Sequence, residues 1–174
     1  KGDNSWKVED GILKNTVNKG EHGTDLVGDK KFWNFTVKYD FQVPDGSNSG
    51  FYLRGRHEIQ ILGDFKSGKP TLTGNGAIYN FKAPTEFASK AGNEWQSCEA
   101  TMIGNKITVI LNGKKIHDNV ECNKATGSEL DRNQWRSLLR QLQDVAVTAM
   151  SCPPNILTGA FRMYNQWLSK DGLS

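Results

Sequence analysis

Polar side chains that could act on a small substrate are concentrated in one stretch, residues 48–62. Within it, Glu58 and Gln60 alternate with Ile59 and Ile61. Because side chains of a β-strand point to opposite faces in turn, this pattern predicts one face packed on a core and one that presents a carboxylate beside an amide. A carboxylate held rigidly on a strand can act as a general acid, general base or nucleophile. The neighbouring amide can hydrogen-bond hydroxyl groups, so the pair is typical of a site that binds sugars.

The segment that precedes Glu58 carries a second set of polar groups. Tyr52 and Arg54 alternate with Phe51 and Leu53, which predicts a strand with the same division of faces. If the two strands are neighbours, Arg54 lies near Glu58 and keeps the carboxylate ionised by charge attraction. The sequence therefore predicts a carboxylate paired with a cation.

Further residues near these strands are candidates for binding a sugar. Tyr52, Tyr79 and Trp95 can each offer an aromatic plane to a pyranose ring. Asn48 and Asp64, which flank the strand pair, are the remaining candidate substrate-binding residues.

Most of these residues also have an ordinary structural interpretation. A Glu on a strand is more often solvated, or paired with an Arg across the sheet, than catalytic. Asp64 follows a strand in a Gly-Asp step, where an Asp commonly forms an Asx turn, and residues 48–50 can form a tight turn. His57 has the parity of the core face and is predicted to be structural, and Trp33 to be a core or rim residue.

The composition excludes several classes of function. With 174 residues, the chain is the size of one domain. Its net charge of +3, spread over scattered Lys residues, argues against a nucleic-acid partner, which needs a clustered basic face. No apolar run reaches membrane-spanning length. His22, His57 and His117 lie far apart without metal-ligand spacing, so neither a metal nor another cofactor is predicted.

The three cysteines match no zinc or redox motif and leave at least one thiol unpaired. A disulfide between Cys98 and Cys122 is conceivable, but a buried free thiol is the preferred prediction for Cys98.

Strand patterns dominate the first two-thirds of the chain. Residues 35–43 alternate apolar and polar side chains without a fault. Residues 95–116 predict three consecutive antiparallel strands, because Gly104-Asn105 and Asn112-Gly113 separate three apolar runs. Asn-Gly favours a type I′ hairpin, since both turn residues accept a positive φ. Many short strands with Gly-rich turns favour an all-β sandwich of antiparallel strands.

The last third changes character. Apolar residues recur at helical spacing from Trp135 to Ala149, Asp131 can cap such a helix, and Cys152-Pro153-Pro154 would end it. The segment from Ile156 to Leu168 fits either a helix or a strand. The predicted division is a sandwich domain over residues 1–131 and an atypical, helical C-terminal segment over residues 132–174.

Several fragments, in this order, resemble the 3-keto-disaccharide hydrolase domain family, whose fold is a concanavalin-like jelly roll. The resemblance covers roughly residues 6–130. The fragments are Trp6-Lys7-Val8-Glu9-Asp10-Gly11-Ile12-Leu13, Asp25-Leu26-Val27, Asn48-Ser49-Gly50-Phe51-Tyr52-Leu53-Arg54-Gly55, Glu58-Ile59-Gln60-Ile61-Leu62, Gly76-Ala77-Ile78-Tyr79, Ala83-Pro84, Trp95 and Val109-Ile110-Leu111-Asn112-Gly113.

The resemblance implies a bacterial, exported domain that processes glycans already oxidised at the sugar 3-position. The 3-keto group acidifies the neighbouring C2–H, so that the anomeric substituent can leave by elimination before water adds. Glu58 is then the candidate base, with Arg54 and Gln60 as donors to the enolate-like oxygen. The alternative is a non-catalytic carbohydrate-binding module of the same fold, which would tolerate loss of Glu58. The glycoside, its linkage and the oligomeric state stay open.

The sequence departs from the family pattern at both ends. Only Lys1 to Ser5 precede the first Trp, where the family carries another strand, and these residues contain no signal-peptide pattern. The family's closing strand has no counterpart after Asp131, and Leu142-Gln143-Asp144 is its nearest trace. Residues from about 132 onward are therefore expected to be a divergent tail or an out-of-frame translation. A sandwich without its outer strands would expose unpaired edges unless a helix covers them.

Overall fold

A computed structural model describes residues 6–10, 12–17, 25–27, 32–126, 148–150 and 157–163. Over these ranges the chain forms eleven β-strands and one short 3₁₀ turn, Phe65–Ser67. The strands are β1 (Trp6–Glu9), β2 (Ile12–Val17), β3 (Leu26–Val27), β4 (Phe35–Gln42), β5 (Asn48–Leu53), β6 (His57–Leu62), β7 (Gln96–Ile103), β8 (Lys106–Leu111), β9 (Lys114–Glu121), β10 (Thr148–Met150) and β11 (Leu157–Met163).

Among the described residues the strands assemble into two antiparallel sheets. The larger sheet has the order β1-β2-β11-β4-β7-β8-β9, and the smaller has the order β3-β10-β5-β6. The predicted all-β, jelly-roll sandwich is confirmed. Strand β6 is flanked on its outer side by residues 76–79, because Gln60 and Ala77 share a backbone hydrogen bond of 2.9 Å.

The hydrophobic core lies between the two sheets. On β4, apolar and polar residues alternate, so that every second side chain enters this core. Its Phe35, Val37, Tyr39 and Phe41 are buried, as the sequence predicts. The ring of Tyr39 stacks on that of Phe51 from the smaller sheet, with centroids 4.3 Å apart. Burying large side chains of this kind contributes about 1.5–3 kcal/mol each, so this layer supports the strands that carry the polar face.

The meander β7-β8-β9 forms as predicted. Asn112 and Gly113 connect β8 to β9 with φ values of 51° and 81°, the positive pair that a type I′ turn requires. Within this meander, Cys98 is a buried free thiol, and Cys122 just beyond it is also buried and free, which confirms the prediction for Cys98. Cys152 lies outside the described residues.

The C-terminal prediction needs correction where the structure describes it. Thr148–Met150 is strand β10, paired with β3 and β5, although the helical spacing of the apolar residues predicts a helix as far as Ala149. Leu157–Met163 is strand β11, paired with β2 and β4, so the described part of the ambiguous segment is a strand. Backbone hydrogen bonding to strands that would otherwise be edges favours extended structure here over the helix that local spacing suggests. The rest of the predicted helix, from Asp131 to Ala146, lies outside the described residues, and the division at residue 131 stays a prediction.

Candidate functional site

The predicted carboxylate lies on β6 beside a tyrosine of β5. Glu58 and Tyr52 occupy directly opposed positions of the strand pair, on the face away from Ile59. The Tyr52 hydroxyl donates a 2.9 Å hydrogen bond to Glu58 Oε2. The predicted division of faces is therefore right, but the predicted exposure is wrong. Glu58 retains only 8% of its accessible surface and Tyr52 only 1%.

The Glu58 carboxylate can take its position because residue 50, below it, is a glycine without a side chain. Gly50 lies on β5 two residues before Tyr52, on the same face of the sheet, and it pairs with Gln60 across the strands. A Cβ built on Gly50 would overlap Glu58 Oε1 and lie 2.9 Å from its Cγ. The Glu58 side chain therefore lies across the space above Gly50, where any other residue would collide with it.

Burial sets the electrostatics of this carboxylate. Desolvation raises the pKa of Glu58 above its ordinary value, and the hydrogen bond from Tyr52 offsets only part of that rise. A carboxylate with a raised pKa is a stronger base than one in water. A neighbouring Arg would lower the pKa of Glu58, so the shift is opposite in direction to the one that the sequence predicts.

Arg54 does not pair with Glu58, which corrects the sequence prediction. Arg54 adopts the left-handed conformation, with a φ of 55°, so the strand alternation ends at Leu53 and no longer directs its side chain. Its guanidinium donates from Nε to the Trp33 carbonyl at 2.8 Å, and Nη2 donates to the same oxygen. The Cζ atom lies 4.1 Å from the centroid of the Trp33 ring. Partial burial lowers the pKa of Arg54 to about 10.

Gln60 lies on the same face of β6 as Glu58 and is 3% exposed. Its Nε2 donates to the Thr73 carbonyl at 3.2 Å, which uses one of its two N–H groups, and its predicted role as donor to a substrate oxygen stays a prediction. Its buried Oε1 has no hydrogen-bond partner among the described residues. A buried acceptor without a hydrogen-bond partner is energetically costly.

Hydrogen bonds to the backbone of Glu58 also hold β6 along the edge that faces away from β5. The Glu58 carbonyl accepts a 2.9 Å hydrogen bond from Tyr79 N, and Glu58 N donates to Thr126 Oγ1 at 3.0 Å. Tyr79 is half-buried beside the candidate base, where its predicted binding role stays a prediction. Thr126 carried no signal in the sequence, since it is 68 residues away from its partner.

The other predicted binding residues are spread more widely. Asp64 accepts hydrogen bonds from Asn75 N at 2.9 Å and from Ser89 Oγ at 2.6 Å. Its carboxylate therefore connects the chain segments around these two residues. Asn48 begins β5 opposite Leu62, four positions before Tyr52. Trp95 is half-buried and precedes β7, a strand of the other sheet. The roles of Asn48 and Trp95 in binding stay predictions.

The two described histidines are buried on the core side. His57 is 3% exposed, as predicted from its parity, and burial with the nearby Arg56 and Arg54 lowers its pKa to about 4. His117 contacts the Gly76 carbonyl through Nε2 at 2.9 Å, and burial lowers its pKa to about 4 as well. In the described ranges, no three His, Cys, Asp or Glu side chains group together in a way that could hold a metal ion. No helix of the described part is long and apolar enough to span a membrane.

Comparisons with known proteins agree with the family that the sequence resembles. The family model described as the 3-keto-alpha-glucoside-1,2-lyase-like domain matches residues 1–146. No curated protein matches the chain. Solved structures do match it. One crystal structure, of a "putative glycosyl hydrolase" from Parabacteroides distasonis ATCC 8503, is 23% identical with a TM-score of 0.73, over 95% of this chain and 74% of that one.

Two further structures extend this likeness. A second "putative glycosyl hydrolase" from the same organism is 23% identical with a TM-score of 0.63, over 90% of this chain and 86% of its own. A "native glycosidic hydrolase" is 12% identical with a TM-score of 0.54, over 93% of this chain and 81% of its own. At these identities, the likeness shows the shared sandwich fold alone.

Proposed function

The chain belongs to the 3-keto-alpha-glucoside-1,2-lyase-like domain family, and from this premise we propose that it cleaves 3-keto-glycosides with Glu58 as the base. The observation that carries the proposal is the buried pair of Tyr52 and Glu58, joined by a 2.9 Å hydrogen bond on the outer face of the smaller sheet. A carboxylate in this setting is desolvated, oriented and raised in pKa, which are the properties of a general base.

The proposed reaction begins with removal of the proton at C2 of the sugar. Glu58 takes this proton, and the electrons of the C2–H bond form an enolate with the 3-keto group. The enolate then collapses to restore the ketone, a C1–C2 double bond forms, and the bond from C1 to the anomeric oxygen breaks. The departing oxygen takes up the proton that Glu58 removed from C2 and leaves as an alcohol, which returns Glu58 to its carboxylate form. Addition of water across the double bond gives the free 3-keto sugar, so that the sum is hydrolysis.

The neighbours of Glu58 have separate roles in this proposal. Tyr52 orients the carboxylate through Oε2 and leaves Oε1, which lies over Gly50, to receive the proton. Arg54 has no place in the chemistry, because its guanidinium is engaged with Trp33.

The test is turnover of a 3-keto-glucoside by the purified chain and by the Glu58→Gln variant. A general base of this kind contributes about 10²- to 10⁴-fold to the rate, so we expect a loss of that order. Glu86→Gln is the matched control, since Glu86 is a half-exposed carboxylate in a surface ion pair with Lys114. Equal turnover by the wild-type protein and Glu58→Gln contradicts the proposal. Binding without turnover by the wild-type protein supports the carbohydrate-binding module instead.

A further inference from the structure

The turn between β5 and β6 carries two arginines within three residues. Arg54, Gly55 and Arg56 connect Leu53 to its cross-strand partner His57, and Arg56 N donates to the Leu53 carbonyl at 3.1 Å. Arg54 and Gly55 are both left-handed, with φ values of 55° and 58°. This conformation costs free energy in a residue other than glycine, and residues held in it are found repeatedly at ligand sites.

The positive charge of Arg54 is not balanced by a carboxylate. None of the ion pairs in the described ranges includes Arg54. Its guanidinium donates instead to the Trp33 carbonyl, which is a neutral group. Partial burial and the charge of Arg56 lower the pKa of Arg54 to about 10. A half-buried cation beside a second cation is in an unfavourable environment, which a bound anion would improve.

The charges of both arginines act at the same place. They add to burial in lowering the pKa of His57, the first residue of β6, to about 4. The two guanidinium groups therefore produce a local positive potential at this end of the strand pair, although the net charge of the whole chain is only +3.

The donors of Arg54 have a direction as well as a charge. A guanidinium has two edges that can each donate two parallel hydrogen bonds. The edge formed by Nε and Nη2 donates to the Trp33 carbonyl, and the indole ring stacks on the guanidinium with Cζ 4.1 Å from its centroid. The other edge, formed by Nη1 and the second N–H of Nη2, has no acceptor among the described residues. Trp33 thus holds the guanidinium in place while one edge stays available.

We propose that the β5–β6 turn is an anion-binding site, where the available edge of Arg54 binds two oxygens of one carboxylate or phosphate group and Arg56 adds positive potential. Two parallel N–H groups match the spacing of two oxygens in either group. Because the carbonyl and ring of Trp33 already fix the guanidinium, little side-chain freedom is lost on binding. The ligand is a small oxyanion, either free or carried on a sugar. The site takes no part in the chemistry proposed for Glu58, so each can be right without the other.

The experiment is calorimetric titration of the whole chain at neutral pH and one fixed ionic strength. The probes are phosphate and acetate as free anions, glucose 6-phosphate and glucuronate as anions carried on a sugar, and glucose as the neutral probe. We expect the anions to bind more tightly than glucose. Tighter binding of the sugar-borne anions than of the free ones supports a sugar ligand at the site, and equal binding supports a free anion.

Variants assign the binding to Arg54. Arg54→Gln should weaken anion binding about 10- to 100-fold, because hydrogen bonds to a charged group are lost. Arg54→Lys keeps the charge without the two parallel donors, so its loss should be smaller. Lys106→Gln is the matched control, since it removes one charge from an exposed position on β8, in the other sheet, and should leave binding unchanged.

Three results would overturn the site. They are equal affinity of the wild-type protein for glucose and for the anions, equal anion affinity of the wild-type protein and a folded Arg54→Gln variant, and an equal loss in Lys106→Gln. Thermal melting without anions shows whether each variant folds. If Arg54→Gln does not fold, Arg54→Lys replaces it, and unchanged anion affinity in that variant also contradicts the proposal.

Discussion

Replacing Glu58 with Gln should change how the stability of the protein depends on pH. In the wild-type protein, burial holds the pKa of Glu58 above the ordinary value of 4.5, in spite of the hydrogen bond from Tyr52. Gln has a similar shape and still accepts a hydrogen bond from Tyr52, but it does not titrate. The variant therefore isolates the cost of ionising a carboxylate at this position.

The sign of the effect follows from proton linkage. Below pH 4.5 the carboxyl group is neutral in the folded and unfolded states, and its contribution to stability is fully present. As the pH rises through the folded pKa, the folded chain retains a proton that the unfolded chain has released, so this contribution is lost. One proton gives a slope of at most about 1.4 kcal/mol per pH unit within that window. The Gln variant should lack this slope and gain stability relative to the wild-type protein as the pH rises.

The assay is urea unfolding of both proteins at a series of pH values from below 4.5 to neutral. The quantity of interest is the difference in the free energy of unfolding, because every other titrating group is common to both proteins. Glu99→Gln serves as the control, since Glu99 forms an exposed ion pair with Lys38 and its loss should not reproduce the trend. A difference between the wild-type protein and Glu58→Gln that stays constant with pH would refute the argument that burial dominates at Glu58.

Three further predictions concern the residues around this carboxylate and the core. Gly50→Ala should displace the Glu58 side chain, lowering activity and destabilising the fold by about 1–3 kcal/mol, as measured by turnover and urea unfolding. His117→Gln should reduce the loss of stability on acidification from pH 6.5 to about 4, because in this range the unfolded chain binds a proton at His117 that the folded chain, with a pKa lowered to about 4 by burial, does not. Cys98 and Cys122 should resist alkylation in the native state, since burial raises their pKa to about 12 and about 11, and peptide mapping after labelling would measure this.

Each of these has an outcome that contradicts it. Gly68→Ala is the control for Gly50→Ala, because Gly68 has a φ of 62° but nothing within 4 Å of an added Cβ. The Gly68→Ala variant should therefore lower stability and leave activity unchanged. Equal activity of both glycine variants would remove the steric argument. An unchanged acid transition in His117→Gln would show that His117 does not contribute to it. Rapid labelling of Cys98 or Cys122 in the folded protein would contradict their burial.

Local patterns in the sequence determined much of this fold. The alternation of β4 predicts which of its faces is buried, and that of β6 predicts which side chains share a face, because the period of two along a strand is a property of the backbone itself. The turn at Asn112-Gly113 is equally local, since the positive φ values that it needs are available to these residues. The family resemblance was also present in the sequence, and the match over residues 1–146 confirms it.

Contacts between distant segments decided the rest. In the sequence the alternation of apolar and polar residues continues to Arg54. The left-handed backbone of Arg54 ends it in the structure, and the guanidinium lies on Trp33 instead of beside Glu58. The clearance over Gly50 exists only once β5 and β6 are in register. The strands at Thr148–Met150 and Leu157–Met163 form by pairing with strands more than ninety residues away. The local spacing of apolar residues carries no information about such distant partners. The sequence therefore determined which face would carry the carboxylate, and the tertiary structure decided that it is buried, with a tyrosine rather than an arginine as its partner.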